Sequence, residues 1–122
     1  MEFDRHTIVL LVRPADAPEL PHETRDALQD EHLANQAELH ERGLVVAAGP
    51  FIGQDDDRLR GIAVLSVDAA EARRLYSCDP AVVAGQLSIE LMTWLVPAGS
   101  ITFESVAFPH STLEATGGDA VA

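Results

Sequence analysis

The chain has 122 residues, 8 Lys plus Arg against 20 Asp plus Glu, and 47% apolar residues, which describes one acidic domain with a single core. A net charge of −12 repels phosphate backbones and anionic lipid, and no basic patch offsets it, so neither nucleic acid nor a membrane surface is an expected partner. No apolar run reaches the roughly 18 residues of a membrane span, and the acidic start Met1-Glu2-Phe3-Asp4 lacks the basic region of a leader, so a cytoplasmic protein is expected.

Residue usage narrows the chemistry further. All eight basic residues are arginines, which removes any lysine for a Schiff base, a pyridoxal linkage or a phosphate-loop amine. Cys78 is alone, so neither an intrachain disulfide nor a multi-thiolate zinc site is available.

In chain order, residues 6–13 form a short β-branched run that stops at Pro14 and reads as a buried strand. Pro14, Pro18 and Pro21 then enforce a loop, because proline neither continues a ladder nor fills a helix interior. Residues 23–42 are helical, with acids early and Gly43 at the stop. At 100° per residue Leu28, His32, Asn35 and Leu39 lie within about 60° of one another, one stripe with two polar members.

Two strands follow at 44–49 and 59–67, with an acidic hairpin-like stretch at 51–58 between them. Asp68 is placed to cap a second helix at 69–77, which Asp79-Pro80 breaks. Asp79 also reads as the cap of a short turn, 80–84, with proline in its first position. Residues 86–96 make the last strand. A short apolar stretch, 101–108, precedes a Ser, Thr, Gly and Ala ending that is expected to be disordered from about residue 110.

The order βαββαβ predicts an α+β protein of the ferredoxin-like type, an antiparallel sheet with two helices on one face. A wet second face would alternate apolar with polar along each strand, yet 8–12, 44–48 and 62–65 are apolar at consecutive positions. Something therefore covers that face. A second copy, burying Met92 and Trp94 in an interface of about 1,600 Å², is the expected cover, and the stretch 101–108 folding back is the alternative.

His32 within Asp30-Glu31-His32-Leu33, the run from Gly43 to Gly49-Pro50, Asp79-Pro80 followed by Ala84-Gly85, and Trp94 closing the last strand carry a resemblance. Across residues 6–97 the chain resembles the YCII-related family, small proteins similar in fold to muconolactone isomerase and to the dimeric α/β-barrel group. The resemblance implies a ferredoxin-like domain over residues 1–97, a C-terminal extension over 98–122, a homodimer, and a pocket holding a His and Asp pair, here His32 and Asp79. One branch of the family resembles dehydrochlorinases acting on a chlorinated hydroxyquinol. The three-proline loop and the extension depart from the family pattern, so pocket shape and substrate do not carry over.

An imidazole exchanges protons near neutrality, and a carboxylate on one ring nitrogen fixes its tautomer, so His32 and Asp79 suit general-base catalysis. Each also has a plainer reading, His32 as a core histidine bonded to a backbone carbonyl and Asp79 as a helix cap. Asn35, one turn after His32, could orient a substrate carbonyl rather than bond nearby backbone. Arg13, at the end of the first strand, could hold a substrate carboxylate rather than pair with a surface acid. Tyr76 is either a substrate contact or packing.

The five histidines show no paired helical spacing for a metal, and His32 and His40 lie about 80° apart around their helix, so no metal is expected. Phosphate-binding glycine loops and a serine nucleophile elbow are absent from the sequence. Two functions follow. One is a cofactor-independent lyase or isomerase acting on a small carbonyl or phenolic compound, and the other is a non-catalytic dimeric module that binds a metabolite. A purely structural dimer, the third option, would have no ligand-sized cavity beside His32.

Overall fold

The computed structural model describes residues 1–117. Its elements are β1 (Phe3–Val12), α1 (His22–Glu41), β2 (Val45–Pro50), β3 (Leu59–Leu65), α2 (Ala69–Ser77), α3 (Pro80–Val83), β4 (Ser88–Pro97) and α4 (Thr112–Thr116). The four strands form an antiparallel sheet in the order β2-β3-β1-β4, the ferredoxin-like arrangement that the element order predicts.

Local chemistry sets the helix ends. Gly43, at φ +77°, takes the left-handed conformation that ends α1. There the Gly43 N–H donates to His40 O at 2.9 Å and the Leu44 N–H to Leu39 O at 2.9 Å, which satisfies two orphan carbonyls and turns the chain into β2. Asp68 caps α2 by accepting from the Glu71 N–H at 2.9 Å.

Alternate β1 residues point to opposite faces of the sheet. Val9 and Leu11 join Leu39, Val45, Leu65, Leu75 and Tyr76 in the core between sheet and helices. Each such large side chain contributes roughly 1.5–3 kcal/mol when buried. The intervening residues His6, Ile8 and Leu10 face the other side, where they pair across the ladders with Trp94, Met92, Val64 and Ile62. On that side Met92 and Trp94 remain 42% and 46% exposed.

The C-terminal extension departs from expectation. Residues 111–117, expected to be disordered, contain α4, capped by Ser111 accepting from the Glu114 N–H at 3.1 Å. The same expectation for residues 118–122 lies outside the described residues. The extension does not shield the second face as a whole, for its Phe103 meets that face edge-on at His6, ring centroids 5.3 Å apart, while Trp94 stays exposed.

The chain is tied down instead against α1. His40 donates from Nδ1 to Val45 O at 2.7 Å and accepts at Nε2 from the Val106 N–H at 3.1 Å, while Phe108 stacks on its ring at 3.8 Å. A carbonyl only accepts and an amide only donates, so these partners fix His40 as the neutral Nδ1–H tautomer. Composition alone did not reveal this anchor, because Phe108 needs a partner surface that α1 supplies only after folding. Further along, His110 bonds to Glu41 at 2.8 Å and to Glu114 at 3.4 Å. Those hydrogen bonds raise the pKa of this exposed imidazole above its usual value, Glu41 contributing most. The tie is therefore fully made in mild acid and is lost as pH rises through the raised pKa.

Candidate functional site

His32 sits in the middle of α1, and Asp79 follows the end of α2 as the N-cap of α3. The fold packs α1 against α3, and this juxtaposition brings the two side chains together across 47 residues of sequence. His32 Nδ1 lies 2.9 Å from Asp79 Oδ1 and 2.9 Å from Oδ2. Because a carboxylate accepts, the ring proton belongs on Nδ1.

Asp79 has no exposed surface, and burying a carboxylate is costly unless its lone pairs are satisfied. Here they are. Besides His32, Oδ1 accepts from Asn35 Nδ2 at 3.2 Å, and Oδ2 accepts from the Ala81 N–H at 3.0 Å. Asp79 thus caps α3 and pairs with His32 at once, so its plainer reading holds together with the pairing.

His32 is 6% exposed, and its ring stands in the wall of a cavity of about 620 Å³. That is within the range of small-molecule sites, and it removes the main expectation of a purely structural dimer. The Nε2 atom of His32 has no hydrogen-bond partner among the described residues. The cavity lies between α1 and the end of the sheet where β1 and β2 finish and β3 begins, lined there by Leu11, Gly49, Pro50 and Gly61. A Cβ on Gly61 would stand 2.9 Å from the Gly49 carbonyl oxygen, so glycine is what lets β2 and β3 close up under the cavity.

The other residues singled out from sequence separate. Arg13 lines the cavity and donates to Gln86 Oε1 at 3.3 Å. Asn35 donates from Nδ2 to Asp79 Oδ1 at 3.2 Å and is not among the residues that line the cavity. Tyr76 is wholly buried in the core, and its hydroxyl donates to Gln36 Oε1 at 2.9 Å. Burial pushes the ionisation of this phenol well above its usual range, with the Asp79 charge adding to the effect. It is a packing residue outside the cavity wall, because the apolar side of α2 faces the sheet.

Sequence reasoning passed over Arg25, Arg60, Gln29, Gln36 and Gln54, all of them in the wall. Charged and amide side chains normally read as solvated surface. The position of Arg60, beside Gly61 in a strand opposite Pro50, was the available signal. Among the described residues no three His, Cys, Asp or Glu side chains gather as a metal site would require, and no helix is long and apolar enough to cross a membrane.

Comparison with solved structures finds the fold again in the 5-chloro-2-hydroxyhydroquinone dehydrochlorinase TftG from Burkholderia phenoliruptrix AC1100, determined in complex with 2,5-dihydroxybenzoquinone. The two are 17% identical with a TM-score of 0.51, over 77% of this chain and 95% of that chain, a likeness of fold. No curated protein matches the sequence. The model of the YCII-related domain matches residues 7–95, a span that runs from within β1 to within β4 and takes in both His32 and Asp79. On that match the chain belongs to the YCII-related family.

Proposed function

We propose that the protein is a cofactor-independent lyase or isomerase for a small carbonyl or phenolic compound, with His32 as general base and Asp79 as the residue that positions it. The observation carrying this reading is that His32 gives Nδ1 to a buried carboxylate and keeps Nε2 unpartnered among the described residues, in the wall of a ligand-sized cavity. Nε2 takes a proton from a carbon next to a carbonyl or from a phenolic hydroxyl, and the freed electron pair forms an enolate or a phenolate. Elimination then expels a leaving group with its bonding pair, or the imidazolium returns the proton to a different carbon. Neither course changes the oxidation state of the whole, so no redox partner enters. The dehydrochlorinase with the same fold supports elimination as the first class to test.

The test is a thermal-shift screen of chlorinated and unchlorinated hydroxyquinols and of unsaturated lactones, followed by turnover assays on whatever stabilises the protein. Compounds that bind are expected to be turned over by the wild type and not by His32→Ala. Turnover that survives His32→Ala contradicts the reading, and binding without turnover favours the metabolite-binding module.

The same proposal includes a homodimer built on the second face of the sheet. Met92 and Trp94 are exposed there, and beside them His6 Nε2 is buried with no partner among the described residues. An exposed apolar patch of this kind on a lone domain marks an interaction surface. Light scattering is expected to give twice the mass of one chain for the wild type and the mass of one chain for Trp94→Glu, which would bury a charge at the interface. A wild type that is monomeric at all accessible concentrations contradicts the dimer.

A further inference from the structure

Among the described residues the cavity wall carries three arginines, Arg13, Arg25 and Arg60, and no carboxylate, in a chain whose acidic residues outnumber its basic ones 20 to 8. Of the five arginines outside the wall, Arg58 pairs with Asp56 and Arg74 with Glu71. The three in the wall form no ion pair among the described residues. Gln86 Oε1 lies 3.3 Å from Arg13 Nη1, and His22 Nδ1 lies 3.5 Å from Arg25 Nη2 while its Nε2 lies 3.1 Å from Asp26. Asp79 is fully buried and bonded to His32, Asn35 and the Ala81 N–H, and it forms no ion pair with these arginines.

Arg25 and Arg60 are exposed at the mouth and Arg13 is half-buried, and against a net charge of −12 the three make this wall a local reversal of sign. A guanidinium presents a rigid fork of N–H donors that matches a planar oxyanion in two parallel hydrogen bonds. Arg13 follows the last residue of β1 and Arg60 is the second of β3, so both rise from adjoining strands at one end of the sheet. Arg25 lies seven residues before His32, two turns away on the same side of α1, which is about 10 Å along the axis.

We infer that the ligand of this cavity is an organic anion, a carboxylate or an acidic phenolate, whose oxyanion is held by Arg13 and Arg60 with Arg25 completing the positive wall. The inference rests on the proposed general-base reading only in setting the reacting end of the molecule at His32. The charge reversal further raises the rate at which anions are drawn to an otherwise acidic protein.

The experiment is a ligand-observed NMR screen of the full chain with matched pairs, aromatic and unsaturated carboxylates against their carboxamides and acidic phenols against their methyl ethers. The anionic member of a pair is expected to bind at least about tenfold more tightly than its neutral partner, and added salt is expected to weaken it. Arg60→Gln and Arg13→Gln are expected to weaken anion binding by about 10- to 100-fold while leaving neutral compounds unaffected. Arg60→Lys, which keeps the charge and loses the fork, is expected to fall between wild type and Arg60→Gln and covers the case of a misfolded Arg13 variant. The carboxylate and phenol arms separate the two sources of the oxyanion.

Neutral members binding as well as anions, arginine variants binding anions like the wild type, or no anion binding at all would each overturn the inference. Failure of the catalytic reading looks different. It leaves anion binding intact in wild type and His32→Ala with no turnover in either, whereas failure here leaves His32-dependent turnover of a neutral compound.

Discussion

Asp79→Asn is expected to leave the protein folded and to lower turnover by about 10⁴-fold, the loss that follows when a carboxylate behind a catalytic imidazole becomes an amide. Both oxygens of Asp79 accept from His32 Nδ1, one also from Asn35 and the other from the Ala81 N–H. An amide has one oxygen and two N–H donors, so it cannot serve all these donors together. If its N–H groups face the ring, Nδ1 must accept and the ring proton moves to Nε2, the atom proposed to receive a proton from the substrate. If its oxygen faces the ring, the Ala81 N–H or Asn35 loses its acceptor, at about 1–3 kcal/mol for a buried unsatisfied donor. Steady-state kinetics and a thermal melt on the one variant separate these outcomes. Unchanged turnover would remove Asp79 from the mechanism and leave it a helix cap.

Tyr76→Ala is expected to be the most destabilising single truncation in the core, about 3–5 kcal/mol, read as a drop in Tm of more than about 10 °C. The ring is completely buried between α2 and the sheet, in the cluster with Leu65, Leu75 and Val9. Its hydroxyl also satisfies Gln36, which is itself buried on α1 and stands in the cavity wall. Truncation therefore opens a cavity and orphans an amide in the same place. Tyr76→Phe isolates the second term and should cost about 1–3 kcal/mol. Equal melting temperatures for Tyr76→Phe and the wild type would mean that Gln36 finds another partner, such as water in the cavity.

Much of this arrangement is legible in the chain itself, for identifiable reasons. Asp68 and Asp79-Pro80 fix the ends of α2 because cap chemistry is local, and the observed helix Ala69–Ser77 coincides with the expected one. The His32 and Asp79 pair is reached through the resemblance to the YCII-related family, and the periodic stripe that places His32 inward agrees with it. The rest of α1 was harder. His32, Gln36 and His40 are all buried, so three polar residues interrupt the apolar period that marks an inward face.

His40 in particular reads as helix surface until Val106 and Phe108 arrive from 66 and 68 residues further on. No local pattern announces a contact of that range. Arg25 and Arg60 were missed for a related reason, since a charged side chain in a cavity wall and one in solvent have the same sequence signature. Only the arrangement of the walls shows that, among the described residues, the cavity collects arginines and no acids.

The central claim is that Asp79 holds the proton of His32 on Nδ1 and leaves Nε2 bare toward the cavity. The direct measurement is the pair of imidazole ¹⁵N shifts of His32 in the full chain at neutral pH, for the wild type and for Asp79→Asn. A protonated Nδ1 and an unprotonated Nε2 are expected in the wild type, with the pattern altered in Asp79→Asn. A wild-type ring whose proton sits on Nε2, unaffected by the substitution, would contradict the claim.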